Sequence, residues 1–208
     1  MQINGSIVLY EDNDESLKKA INSFLNTSLS VKLYLVDNST TPRLKYLEKL
    51  DNRIVYIYNN SNIGFGEAHN IALQKSIEEC VSYHLVLNPD VYFDSGVLEE
   101  LFDFMEKNKD VANVMPKVFY PDGNLQYLCK LLPTPKELIA RRFIKNDETI
   151  QKINHNYELR DSGYDKILNI PFLSGCFMFL RVAHLKEIGL FDEKIFMYME
   201  DTDLNRRL

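Results

Sequence analysis

Along the first half of the chain, short apolar runs alternate with longer segments whose apolar residues recur at helical spacing. This alternation restricts the fold more than any other feature. Residues 6–10, 31–36, 53–58, 83–87 and 111–115 have the length and apolar content of buried strands. Leu17, Ala20, Ile21, Phe24 and Leu25 mark one face of an intervening helix, for which Asp12, Asn13 and Asp14 are capping candidates. Pro42 suits the first turn of a second helix reaching about Leu50. Gly64-Phe65-Gly66 opens a third carrying Ala68, Ile71, Ala72 and Ile77, and Val97, Leu98, Leu101, Phe102 and Met105 mark a fourth. Repeated strand–helix units predict an α/β fold with a mostly parallel central sheet and helices on both faces.

The alternation loosens after Pro121-Asp122-Gly123-Asn124, a turn by composition. Residues 125–168 read as polar and irregular, with one helical stretch from about Pro135 to Ile144. Strand character returns over 170–180 around Ser174-Gly175, and a short helix, Val182–Ile188, stops at the C-capping Gly189. The chain ends at Leu208 inside an unfinished helix, which predicts truncation of a longer protein.

A length of 208 residues suffices for one large domain with a substantial core. The net charge of -6 argues against a nucleic-acid partner, which would call for a basic surface. Cys80, Cys129 and Cys176 are far apart and form no CxxC pair, which predicts reduced, mostly buried thiols in a cytoplasmic protein. The N-terminal Met-Gln-Ile-Asn-Gly-Ser lacks the basic and apolar regions of a secretory signal, and no apolar run approaches the roughly 20 residues that span a bilayer.

Three acidic positions stand at the ends of apolar runs. Tyr83-His-Leu-Val-Leu ends in Asn88-Pro89-Asp90, so a strand delivers a carboxylate to a sheet edge, where α/β folds bind ligands. Asp90 there can hold a divalent metal; the plainer role is a helix cap, for which Asp94 is better placed. Asp37 follows Lys-Leu-Tyr-Leu-Val and can accept hydrogen bonds from a base or ribose, or equally close an Asx turn with Asn38, Ser39 and Thr40. Glu200-Asp201 is surrounded by Phe196, Met197, Tyr198 and Met199, and apolar surroundings suit a carboxylate to general-base work; capping of the last helix is the alternative. His69 and Asn70 stand near a helix start, where they approach a ligand or are satisfied locally. Lys130, Lys136, Arg141, Arg142 and Lys145, interleaved with Leu131, Leu132, Leu138, Ile139 and Phe143, make a basic amphipathic segment. Such a segment lies on an anionic membrane surface or, more simply, packs as a solvated helix.

Val36-Asp37-Asn38-Ser39, Gly64-Phe65-Gly66-Glu67-Ala68-His69-Asn70, Leu87-Asn88-Pro89-Asp90-Val91, Ser174-Gly175-Cys176-Phe177-Met178 and Gly189-Leu190-Phe191-Asp192-Glu193 followed by Phe196-Met197-Tyr198-Met199-Glu200-Asp201 occur in that order. Together they resemble an inverting family 2 glycosyltransferase of the GT-A fold, of the rhamnosyltransferase-like branch that builds bacterial surface polysaccharides. The resemblance implies transfer of a sugar from a nucleotide-diphosphate donor, dTDP-rhamnose or a UDP-sugar, to a glycan or lipid-linked acceptor. It implies Mg2+ or Mn2+ as cofactor and a cytoplasmic protein that can touch the inner face of the membrane. By position, Asp37 with Asn38 resembles the base-reading segment, and Tyr10, Glu11 and Asn70 fall in the donor pocket. Asn88 replaces the first acid of the Asp-x-Asp motif and leaves Asp90 as metal ligand. Ser174-Gly175 resembles the floor beneath the donor sugar. Asp201 takes the place of the base and Glu200 that of its support. Residues 1–120 then form the nucleotide-sugar half and 121–208 the acceptor half of one domain.

Glu11 stands where the family often has Asn, and Pro42 where it often has a second Asp. A late metal-ligating His, found in some members, would lie beyond Leu208. A sugar nucleotidyltransferase shares the layout but needs a Gly-rich basic loop after the first strand, where this chain is acidic over 6–14. An inactive glycan-binding fragment is the third alternative.

Overall fold

The computed structural model describes residues 2–132, 134 and 147–208. They form two compact units: Met1–Met115 with Gly175–Leu208, and Pro116–Ser174.

The first unit is built on a six-stranded sheet of order β3-β2-β1-β4-β10-β5. Strands β1 (Gln2–Leu9), β2 (Ser30–Asp37), β3 (Ile54–Tyr58) and β4 (Tyr83–Leu87) are parallel; β10 (Phe177–Arg181) runs antiparallel to both β4 and the two-residue β5 (Asn113–Val114). Helices α1 (Asp14–Leu25), α2 (Phe65–Glu78) and α3 (Val97–Lys107) connect successive strands, and α5 (Val182–Ile188) and α6 (Glu200–Arg207) follow β10. Every residue of β4 is buried, as expected of a central parallel strand covered on both faces. Leu17, Ala20, Ile21, Phe24 and Leu25 bury the inner face of α1 against Ile3, Ile7 and Leu33, and each fully buried aliphatic side chain contributes about 1.5–3 kcal/mol. The ring of Phe24 lies on Gly5 of β1, where a Cβ would come within 2.7 Å of it.

The second unit contains a hairpin of β6 (Val118–Phe119) and β7 (Leu125–Gln126) across the 121–124 turn. It also holds the antiparallel pair β8 (Cys129–Lys130) and β9 (Phe172–Leu173), and helix α4 (Asp147–Tyr157). The Tyr164 hydroxyl lies 2.7 Å from the Glu158 carbonyl and accepts from the Cys129 N–H at 3.0 Å.

Several expectations change. Residues 43–49 form a 3-10 helix because only Leu44 and Leu47 are buried, a spacing that one turn of three residues satisfies. The helix expected over 135–144 and its basic residues Lys136, Arg141, Arg142 and Lys145 lie outside the described residues, whereas α4 arises in a stretch that reads as irregular. Helix α3 is capped by the left-handed Gly96, not by the Asp94 side chain; Asp94 offers only its backbone carbonyl. The thiols are less buried than expected: Cys80 is exposed and Cys129 and Cys176 are half-buried.

Candidate active site

The parallel strands β1 to β4 all present their carboxyl ends at one edge of the sheet. Because β10 is antiparallel, its beginning lies there too, with Phe177 opposite Leu87. Ligands of open α/β sheets bind beyond this edge.

Asp37, the last residue of β2, is fully buried. Its carboxylate accepts from the Ser39 N–H at 2.8 Å and from the Tyr56 hydroxyl. Burial first, then the bond to Asp37, pushes the Tyr56 hydroxyl pKa upward, so the phenol stays a donor. Asn38 ties two loops together: its amide donates to Gly64 O at 3.0 Å and accepts from Asn59 Nδ2 at 2.8 Å. Tyr10 is 53% exposed just past β1. Glu11 takes a left-handed backbone and accepts from both the backbone and hydroxyl of Thr40, which holds its pKa below the usual carboxylate value.

Asn88 is fixed beyond β4 by its N–H, which donates to Cys176 O at 2.9 Å. Two residues later, Asp90 is exposed, and no hydrogen bond from the described residues engages its carboxylate. Asp12 approaches from the end of β1. Its pKa is raised by burial, against a hydrogen bond from the Tyr10 N–H at 2.6 Å and with the charges of Asp37 and Asp90 adding to the rise. Carboxylate oxygens are the ligands a hard divalent cation prefers. Among the described residues no group of three or more His, Cys, Asp or Glu side chains converges enough to hold a metal alone. Asp90, with its carboxylate exposed and unengaged among the described residues, is the residue here that could offer an oxygen to such a cation.

Across the rim, the Gly175 N–H donates to Asp201 Oδ2 at 2.9 Å, and the Thr202 N–H to Oδ1 at 2.7 Å. A Cβ on Gly175 would lie 3.2 Å from that of Asp201 and 3.3 Å from its Oδ2, so a larger residue here would require the Asp201 side chain to shift. Ser174 is the last residue of the second unit. Glu200 opens α6 with 6% exposure; burial, opposed by its own N–H and assisted by the charge of Asp201, raises its pKa. The preceding Tyr198 and Met199 both have left-handed backbones, and Phe196 to Met199 are exposed. Two contacts hold this loop. The Phe65 N–H donates to Phe196 O at 3.2 Å. The Asn70 side chain accepts from the Phe191 N–H at 3.0 Å and donates to Phe191 O and Glu193 Oε1 at 2.9 and 3.1 Å. Asn70 thus positions the loop leading to the acids.

These contacts form a circuit. Asn38 meets Gly64, Phe65 meets Phe196, Asp201 meets Gly175, and Cys176 meets Asn88, two residues from Asp90, whose charge reaches Asp12 beside Asp37. Asp37, Asp90 and Asp201 therefore occupy one rim. Sequence reasoning missed Asp12, which looked like a cap until Asn13 took that role by accepting from the Glu15 N–H at 2.8 Å. It also missed Tyr56, whose meeting with Asp37 depends on strand register.

A sequence model of the family described as Glycosyl transferase family 2 matches residues 7–189. An N-acetylglucosaminyl-diphospho-decaprenol L-rhamnosyltransferase of Mycobacterium tuberculosis is 24% identical over 199 residues, covering 88% of this chain; the chain spans 62% of that relative's length. Among solved structures, S. aureus TarS superposes with a TM-score of 0.67 at 18% identity, covering 100% of this chain and 33% of TarS. The mannosyltransferase PcManGT of Pyrobaculum calidifontis, in complex with GDP-Man and Mn2+, gives 0.62 at 11% identity, covering 96% of this chain and 49% of its own.

Proposed function

Because the chain belongs to glycosyl transferase family 2 and has the GT-A fold of the solved structures it matches, we propose that it is an inverting transferase. It moves a sugar from a nucleotide-diphosphate donor, dTDP-rhamnose or a UDP-sugar, to a glycan or lipid-linked acceptor. The observation that supports this reading is that Asp37, Asp90 and Asp201 all lie at the edge where the parallel strands end, Asp201 tied there by the Gly175 N–H. In this reading residues 1–120 bind the donor and 121–208 serve the acceptor.

Asp37 and Asn38 orient the nucleoside, with Tyr10 and Glu11 at the pocket wall. A divalent cation on Asp90 would screen the diphosphate and lower the cost of charge on the leaving group. Gly175, lacking a side chain, leaves room for the donor sugar and lends its N–H to aim Asp201. Asp201 takes the proton of the acceptor hydroxyl as that oxygen attacks the anomeric carbon from the face opposite the diphosphate. Direct displacement of this kind inverts the anomeric centre.

A thermal-shift series with UDP-, GDP-, dTDP- and CMP-sugars, with and without Mn2+, tests the reading. Donor at 100 times its dissociation constant adds about 2.7 kcal/mol of stability, which raises Tm by about 5–10 °C in a chain of this size. The expected result is a Mn2+-dependent rise with a dTDP- or UDP-sugar that Asp90→Ala abolishes; no rise with any nucleotide overturns it. The reading includes peripheral contact with the inner membrane surface through the basic segment 130–145. Among the described residues no helix is long and apolar enough to cross a membrane. Flotation with anionic vesicles, lost on charge reversal at Arg141 and Arg142, is the expected outcome; absence of binding removes that part.

A further inference from the structure

The second unit holds a pocket of its own, about 430 Å³ in volume, whose lining includes Tyr120, Leu125, Tyr127, Lys130, Glu158 and Arg160. Small-molecule sites usually measure about 300–1,000 Å³. Tyr120 opens the hairpin turn: its carbonyl accepts from the Gly123 N–H at 2.9 Å and its N–H donates to Asn124 O at 2.7 Å. The other wall joins the chain after β7 to the end of α4. The Leu131 N–H donates to Tyr157 O at 2.9 Å, and the Tyr164 hydroxyl stands between the Cys129 N–H and the Glu158 carbonyl at 3.0 and 2.7 Å. Leu159 has a left-handed backbone, and Arg160 follows it. The Arg160 guanidinium lies 4.4 Å from the centroid of the Tyr127 ring, while its Nε and Nη2 meet Glu158 Oε2 at 2.7 and 2.6 Å. This wall is therefore held in place by the protein's own contacts, which reduces what a ligand must order on binding.

Those contacts leave a particular set of groups open. Tyr120 is 54% exposed, and neither its ring nor its hydroxyl has a partner among the described residues. The Tyr127 hydroxyl also has no hydrogen-bond partner among them. The Lys130 ammonium lies 6.0 Å from the Phe172 ring centroid and meets no carboxylate among the described residues. Glu158 answers Arg160, so Lys130 leaves the lining with one uncompensated positive charge, in a chain whose net charge is -6. An aromatic face, electron-rich through its quadrupole, suits the C–H face of a sugar ring. An ammonium makes its strongest hydrogen bonds to anionic oxygens. A bare anion would have no use for the tyrosines, and a neutral sugar would leave Lys130 unanswered.

We propose that this pocket binds an acidic sugar unit of the acceptor, its ring on Tyr120, its carboxylate or phosphate on Lys130, and a ring hydroxyl on the Tyr127 hydroxyl. Glu158 and Arg160 are positioning residues that fix Tyr127. Assignment to the acceptor rests on the transferase reading; binding of an acidic sugar does not.

The test is saturation-transfer NMR on the full chain, titrated without nucleotide or metal with glucuronic acid, glucose 6-phosphate, glucose and inorganic phosphate. At least one acidic sugar should bind about 10-fold or more tightly than glucose and than inorganic phosphate. Glucuronic acid alone identifies a uronate, and glucose 6-phosphate alone a phosphate-bearing sugar. Lys130→Gln should bring the acidic sugar down to the level of glucose. Tyr120→Ala should abolish the signal, whereas Tyr120→Phe, which keeps the ring face, should retain it. Binding that ignores both Lys130→Gln and Tyr120→Ala overturns the proposal, as does failure of both acidic sugars to bind. Glucose as tight as either acid, or phosphate as tight as glucose 6-phosphate, overturns it too. If Tyr120→Ala instead abolishes flotation with anionic vesicles and the sugars do not compete, the pocket belongs to a lipid headgroup and the proposal falls. Acidic-sugar binding in a chain that shows no donor-dependent rise in Tm would sink the transferase reading and keep the pocket.

Discussion

Gly64→Ala should be among the most damaging single-methyl additions in this protein, and its cost can be worked from the backbone. Gly64 has φ 93 and ψ 175, a region that is essentially glycine's own. Placing alanine there costs about 1–3 kcal/mol in strain. The new Cβ would also lie 2.4 Å from Phe196 O, a backbone atom that cannot rotate away. Relieving that contact breaks the 3.2 Å bond from the Phe65 N–H to the same oxygen, worth about 1 kcal/mol. The sum is about 3 kcal/mol, or a fall in Tm of about 6–12 °C in a chain of this size. Gly96→Ala is the control. Its φ of 94 is similar, but its Cβ would meet nothing within 4 Å, so only left-handed strain of about 1–2 kcal/mol applies. Urea unfolding of both variants, followed by far-ultraviolet circular dichroism, measures the difference. Equal midpoints for the two would refute the claim that the Phe196 carbonyl sets the requirement for glycine at position 64.

Three further outcomes are expected. Asp201→Asn should lower sugar transfer by about 10²–10⁴-fold, with donor binding by calorimetry retained; near-normal turnover would remove Asp201 as base. Asn70→Ala strands the Phe191 N–H and carbonyl and should cost about 2–3 kcal/mol, with faster proteolysis over 191–199; an unchanged urea midpoint would contradict its anchoring role. Glu79 is pushed up by burial, but hydrogen bonds from Lys32, Asn4 and Tyr34 outweigh this and bring its pKa to about 2. A depressed folded pKa gives stability that is present above the unfolded value of 4.5 and lost as pH falls toward about 2. Glu79→Gln should flatten that acid limb, and parallel acid titrations of wild type and variant would disprove the link.

The alternation of apolar runs made the parallel sheet legible because central strands bury both faces and are mostly apolar, Asn4, Ser6 and His84 being their buried polar exceptions. The ends of β2 and β4 were equally legible, since Asp37 and Asn88-Pro89-Asp90 interrupt such runs abruptly. What could not be read depends on register and distance. Tyr56 reaches Asp37 only because β3 pairs with β2 one way, with Tyr58 opposite Asp37. Ser6, 63 residues from His69 and 78 from His84, looks like an ordinary strand serine until the fold brings all three together. The antiparallel direction of β10 was hidden too, because a strand's composition does not encode its direction. The short strands and α4 of the second unit lack the long apolar periodicity that single-sequence reasoning needs.

The second unit departs after β5 and returns at β10, and these two strands are neighbours in the same sheet. Interstrand bonds therefore fix the spacing of the excursion's two ends, whatever lies between them. Closure entropy grows only logarithmically, by about 0.6 kcal/mol for each doubling of length. Descendants of such a chain could lengthen, trim or replace the excursion at little expense to the platform, so novelty in recognition can accumulate there while the inherited chemistry stays put.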